Sequence, residues 1–171
     1  MSMLTVSIGG SYYRVADPDW ADPLDPSFAS APPGQRWNPA GLVCLYLNHN
    51  KTAARANVMK KFVGLPYGPE DLDPATAPLL LGVDIPEGDA ADAYTEAGLA
   101  AMGLPTTYPY DSAHNLVPHH VCQPIGRAAY DAGLDGVDCR SAAADHSREL
   151  AWFPRNRTAA ETSRLAFDHW W

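Results

Sequence analysis

Gly34-Gln35-Arg36-Trp37-Asn38-Pro39-Ala40-Gly41 puts a guanidinium, an indole and an amide on one short segment punctuated by proline and glycine. The segment runs straight into the apolar stretch 42–47, where Tyr46 lies ten residues after Arg36. A loop held between fixed elements is a common seat of binding chemistry. A second arginine, Arg14, sits in an early β-favouring run, Asn57 borders a helical apolar face, and Ser141 closes a strand-like stretch. Forked guanidinium donors suit a diphosphate, and a tyrosine suits a flat ring. Arg14, Arg36, Tyr46, Asn57 and Ser141 therefore form a set fit to grip a ligand carrying both. Trp37 reads equally as a hydrophobic plug, and either arginine as the partner of one of the twenty acidic residues.

These residues need elements to hold them. Residues 12–15 read as a first strand, and the Pro/Asp-rich stretch 17–33 as a loop long enough to be a lid or binding segment. Residues 42–47 make a second strand. Asn48 or Asn50 caps a helix from about Lys51, with Ala54, Val58 and Phe62 on its apolar face. Residues 79–85 read as a buried strand ended by Pro86. A short helix over 95–102 closes at Gly103, and His119 and His120 stand exposed ahead of a helix over 123–132 with Gly133 at its C′ position. Strands follow at 136–141 and 149–153, and the spacing of 158–170 predicts a terminal helix. The order of short strands and helices, without repeat or linker, predicts a single compact α+β domain over residues 1–171.

The chain has 171 residues, 46% hydrophobic, with 16 prolines and 13 glycines, a composition that folds but disfavours long helices. Its formal charge is −8, and its twelve lysines and arginines are scattered, so no basic stripe exists for a nucleic-acid backbone. Cys44, Cys122 and Cys139 are far apart and show no metal-ligand spacing, which predicts reduced core thiols and no metal site. No segment reaches the roughly 18 apolar residues of a membrane helix, so a soluble, cytoplasmic protein is expected.

No GxSxG elbow, P-loop, GxGxxG after a strand or HExxH motif is present, which disfavours a serine hydrolase, a kinase and a zinc enzyme. The chain instead resembles the RES domain family, the toxins of RES–Xre toxin–antitoxin pairs. The resemblance rests on Tyr13-Arg14-Val15, on the segment from Gly34 to Gly41 with Tyr46, and on Thr52-Ala53-Ala54-Arg55-Ala56-Asn57. It continues through Leu134-Asp135-Gly136-Val137 with Ser141, and Glu149-Leu150-Ala151-Trp152-Phe153-Pro154.

That resemblance implies an ADP-ribosyltransferase-like fold and an enzyme that consumes NAD as substrate, with no further cofactor, by hydrolysis, phosphorolysis or ADP-ribosyl transfer. Tyr46, Asn57 and Ser141 take the catalytic positions, and Arg14, Arg36, Trp37, Tyr46 and Ser141 the NAD-binding ones. An Xre-like antitoxin is the implied protein partner, and a homodimer is left open. The family arginine, tyrosine and serine fall on Arg36, Tyr46 and Ser141, but the family glutamate falls on Asn57. An amide cannot steady the cation that develops at the ribose, so Asn57→Glu is expected to restore an anion. Glu149 or Asp138 could supply that charge, though the sequence alone places neither at the site. The alternative reading is a weakened or inactive RES domain that binds NAD or ADP-ribose without turnover.

Overall fold

A computed structural model describes residues 2–144 and 147–171. Six strands, β1 (Thr5–Ala16), β2 (Leu45–Asn48), β3 (Leu79–Ala93), β4 (Gly136–Arg140), β5 (Arg148–Trp152) and β6 (Ala160–Leu165), form one mixed sheet in the order β1-β2-β5-β4-β3-β6. β1 also pairs with β3, so the first five strands close into a ring. Only β3 and β4 run parallel. Four helices flank the sheet: α1 (Lys51–Met59), α2 (Glu96–Ala101), α3 (His119–Asp131) and α4 (Phe167–Trp170).

The period-two geometry of strands gives the two faces of the sheet separate core clusters, and a third gathers Ala54 and Val58 of α1 with Phe167 and Trp170 of α4. Leu150 and Trp152 of β5 join Leu45 and Leu47 of β2, Tyr12 of β1 and Val83 of β3 in one cluster. Ala151, between them on β5, turns to the opposite face and joins Val137, Cys139, Trp37, Tyr108 and the α3 residues Cys122, Ile125 and Ala129. Each large aliphatic or aromatic side chain buried in this way stabilises the fold by roughly 1.5–3 kcal/mol. All three cysteines are free and buried. Among the described residues no helix is long and apolar enough to cross a membrane.

The structure departs from the sequence reading in several places, first in β1, which begins at Thr5 and not at residue 12. β3 runs through Pro86 instead of stopping there. The β1–β3 register slips between Ile8 and Gly10, so Pro86 falls at an irregularity where no ladder hydrogen bond is lost. Gly9 and Gly10 accept that irregularity with φ of 138° and 78°. The predicted terminal helix is instead β6 followed by one short turn of α4. β6 pairs with β3 from Leu80 to Asp84, and satisfying that main-chain edge outweighs a helical spacing of side chains. The helix predicted from 123 begins at His119, with Pro118 as its N-cap, so both histidines lie in its first turn. The strand predicted from 42 begins at Leu45, because 42–44 still belong to the loop pinned by Cys44 N–H donating to Pro26 O at 3.3 Å.

Candidate active site

β2, β5 and β4 carry the site. Tyr46 stands opposite Ala151, and Asn48 opposite Glu149, while Glu149 stands opposite Cys139 across the next ladder. Directly opposed residues point to the same face of a sheet. Tyr46, Asn48 and Glu149 therefore share the face turned away from Leu47 and Leu150. α1 delivers Asn57 to this face. Asn50 caps the helix by accepting from Ala53 N–H at 2.8 Å, and Ala53, Ala54 and Val58 bury its inner side.

Two polar side chains converge on one carboxylate oxygen. Asn57 Nδ2 donates to Glu149 Oε1 at 2.7 Å and to Asn48 Oδ1 at 2.8 Å, and Ser141 Oγ donates to the same Oε1 at 2.6 Å. Ser141 is buried at the exit of β4 and also accepts from Ala143 N–H at 3.0 Å. Two donors on Oε1 fix the carboxylate and leave Oε2 without a hydrogen bond among the described residues.

The loop from Gly34 to Gly41 is built around Asn38, which is fully buried. Its Nδ2 donates to Ala29 O at 2.7 Å and Leu42 O at 3.0 Å, and its Oδ1 accepts from the Tyr46 hydroxyl at 2.8 Å. That hydroxyl accepts in turn from Trp37 N–H at 2.9 Å. Burial holds the Tyr46 phenol well above its usual range, so it stays neutral and serves as a clasp, not a proton donor to solvent. Trp37 is only 1% exposed and packs against Tyr108 in the core, with part of it bordering the cleft. α3 approaches so closely that a Cβ at Gly126 would collide with Trp37 O.

Arg36 Nη1 donates to Val117 O at 2.5 Å, just ahead of α3, and the guanidinium lies beside the Cys122 thiol. Arg14 is more committed. Its Nε donates to Pro23 O at 2.7 Å and its Nη1 to Tyr46 O at 2.9 Å, leaving Nη2, and burial pulls its pKa below the ordinary arginine value. Arg14 thus offers charge more than a free fork.

These residues border a cavity of about 490 Å³, within the range of small-ligand sites. Arg14, Arg36, Trp37, Tyr46 and Asn57 line it directly, and Ser141 stands behind Glu149. The lining also includes residues not singled out beforehand: Lys60 and Lys61 just past α1, His119, and the aromatic pair Trp20 and Phe28. Of the lining residues Arg14, Arg36, Lys60 and Lys61 are cationic, and Glu149 alone is acidic. None of those four cations is ion-paired among the described residues. Elsewhere Arg127, Arg148, Arg155, Arg157 and Arg164 pair with carboxylates, while Arg55 and Arg140 bond to backbone carbonyls. In a chain of net charge −8 this is a local reversal of sign, and it attracts anions. His119 is held below its usual range, first by partial burial and then by the charges of Arg36 and Lys60, so it is neutral near pH 7. Among the described residues no group of three or more His, Cys, Asp or Glu is placed to hold a metal ion.

Glu149 was one of two acidic candidates in the sequence, and the β4–β5 pairing decides between them. Asp138 stands opposite Leu150, on the other face, where it binds His49 Nε2 at 2.6 Å and Arg148. Reading residues 136–141 and 149–153 as neighbouring antiparallel strands would have set Ser141 beside Glu149. Lys60 and Lys61 carry no such signal, because the turn that aims them follows the end of a helix.

The site is thus a cationic cleft around a single fixed carboxylate, set in a ring-closed α+β domain. The chain belongs to the RES domain family, whose model it matches over residues 11–171. Its fold is shared by a chain in the crystal structure of the M. tuberculosis MbcT–MbcA toxin–antitoxin complex. The TM-score is 0.76 at 22% identity, over 95% of this chain and 86% of the other. No match was found among curated proteins.

Proposed function

We propose that this RES domain is an NAD-consuming enzyme of the toxin kind, breaking the bond between nicotinamide and ribose. The observation that carries the reading is the charge pattern of the cleft: four cations, none ion-paired among the described residues, around one carboxylate that two neighbours hold in place. The pyrophosphate lies against the guanidinium of Arg36 and the positive charge of Arg14. The C1′–nitrogen bond breaks with both electrons passing to the nicotinamide nitrogen, which leaves as the neutral base. Positive charge then develops on the ribose, and Glu149 faces it. The acceptor oxygen of water, phosphate or a protein side chain forms the new bond to C1′ and gives up its proton.

In this account Glu149 supplies the charge that Asn57 lacks, and Asn57 and Ser141 orient it. Tyr46 and Asn38 hold the loop that carries Arg36. A preorganised charge of this kind is worth roughly 3–4 kcal/mol, about 100- to 1,000-fold in rate. Glu149→Gln keeps the shape and removes the charge. Nicotinamide release from NAD is expected to fall by about that factor, with NAD binding largely kept. An unchanged rate in a folded Glu149→Gln protein removes the proposed role.

Binding without turnover is the second reading, and the amide at position 57, where the resemblance expects a glutamate, is what favours it. Wild type that binds NAD and releases no nicotinamide would select it. The fold shared with a chain of a toxin–antitoxin complex supports a toxin held by an antitoxin, which the family resemblance makes Xre-like and cytoplasmic. Co-purification with the product of an adjacent antitoxin-like gene, together with loss of NAD turnover in the complex, tests that partner.

A further inference from the structure

The long segment between β1 and β2 carries two large aromatic rings in solvent at the rim of the cleft. Trp20 is 41% and Phe28 62% exposed, their ring centroids are 6.1 Å apart, and their planes differ by 23°. Both line the cavity, and neither belongs to a core cluster. Exposed rings of this size are costly to keep in water, and a matched pair at a cavity mouth is suited to a flat apolar surface.

The pair is well supported. Arg14 donates to Pro23 O in the middle of the segment, and its Cζ lies 5.6 Å from the centroid of Trp20. Ser30 O accepts from Gly41 N–H at 2.8 Å, Pro26 O accepts from Cys44 N–H, and Ser30 Oγ donates to Ser27 O at 2.6 Å. These bonds tie the segment to β1 and to the loop that carries Arg36. The aromatic pair is therefore positioned by the same groups that build the site.

The order of groups assigns the ring that stacks there. Arg14 bonds to Tyr46 O at one side and faces Trp20 at the other, so its guanidinium stands between the Tyr46–Glu149 end of the cleft and the aromatic rim. A dinucleotide with its ribosyl carbon at Glu149 and its pyrophosphate at the guanidinium carries its second base outward. We propose that Trp20 and Phe28 form a stacking platform for the adenine of the dinucleotide. This rests on the NAD reading above and adds to it the subsite that separates dinucleotides from mononucleotides. Stacking is tolerant of hydrogen-bond pattern, so other purines in place of adenine are accepted with similar affinity.

The test titrates the full chain with NAD, ADP-ribose and nicotinamide mononucleotide, in wild type, Trp20→Ala, Phe28→Ala and Trp20→Phe. ADP-ribose keeps the adenine and lacks nicotinamide; the mononucleotide is the reverse. Each alanine variant is expected to weaken NAD and ADP-ribose alike by roughly five- to hundred-fold, leaving the mononucleotide unchanged. Trp20→Phe should recover most of the loss, and ADP-ribose should quench wild-type tryptophan fluorescence more than that of Trp20→Phe. Both positions are exposed, so folding should survive, and circular dichroism checks it. Unchanged ADP-ribose affinity in both alanine variants overturns the platform and leaves the NAD reading standing. A loss confined to the mononucleotide also overturns it, by putting nicotinamide at the rim. Wild type that binds none of the three probes overturns both.

Discussion

Asn57 Nδ2 and Glu149 Oε1 are 2.7 Å apart, so amide and carboxylate work as one unit. Seen from the sequence, Asn57→Glu restores a missing anion. Seen in the structure, it sets a second carboxylate against the first, and two carboxylates at that distance do not both ionise. We therefore expect Asn57→Glu to lower nicotinamide release by about ten-fold or more, not raise it. Asn57→Ala removes one donor to Glu149 and should cost about 1–3 kcal/mol in transition-state stabilisation. Faster release in Asn57→Glu would mean that Glu149 is not the working carboxylate.

Arg36 is the cation of the motif loop, steadied by a hydrogen bond to Val117 O and by the neighbouring Cys122 thiol. Arg36→Ala should weaken NAD binding by about 2 kcal/mol or more, and Arg36→Lys should recover only part, since an ammonium does not reproduce the fork. Calorimetric titration of the three proteins decides the point; equal affinities return Arg36 to a structural role.

The Tyr46 hydroxyl satisfies both Trp37 N–H and Asn38 Oδ1. Tyr46→Phe leaves those buried groups unpartnered and should destabilise the fold by about 2 kcal/mol. Denaturant unfolding measures this. A loss of turnover with no loss of stability would instead indicate that the hydroxyl takes part in the chemistry.

Gly126 gives a case where local propensity and packing predict opposite signs. Alanine in the middle of α3 would normally stabilise the helix by about 1 kcal/mol. Here its Cβ meets Trp37 O, so Gly126→Ala should lower the melting temperature and weaken NAD binding together by displacing the motif loop. A more stable Gly126→Ala protein would show that the loop gives way without harm.

Stability should also fall in alkali. Burial raises the Cys44 and Cys139 thiols and the Tyr46 phenol above their ordinary values. As pH climbs, the unfolded chain releases these protons before the folded one does. The associated stability is complete below about pH 9 and declines above it, each group adding up to about 1.4 kcal/mol per pH unit. Urea midpoints between pH 8 and 10.5 should show the decline, and Cys44→Ala should make it shallower. A midpoint that is flat across that range would contradict it.

Several residues that border the candidate cleft were legible in the sequence because they lie beside strong local signals. Arg36 and Tyr46 flank a Pro/Gly loop and an apolar strand, and Asn57 follows a capped helix start. Ser141 was also found, but its task was not, since it faces Glu149 and stands one layer behind the cavity. What escaped depended on tertiary context. β6 exists because β3 offers it an edge, the course of β3 past Pro86 depends on a slip opposite Gly9, and Glu149 matters only once β4 and β5 are paired.

Closure of the ring has a consequence for how chains of this kind meet one another. β1 pairs with β3 along its length but meets β2 only at Tyr13 and Asn48, so the outer edge of β6 is one open margin of the sheet among the described residues. That margin is solvent-facing and polar, with Glu161 and Arg164 joined by a 2.7 Å ion pair. Charged, short edges resist runaway strand addition. That edge is thereby guarded against edge-to-edge pairing between copies at high concentration.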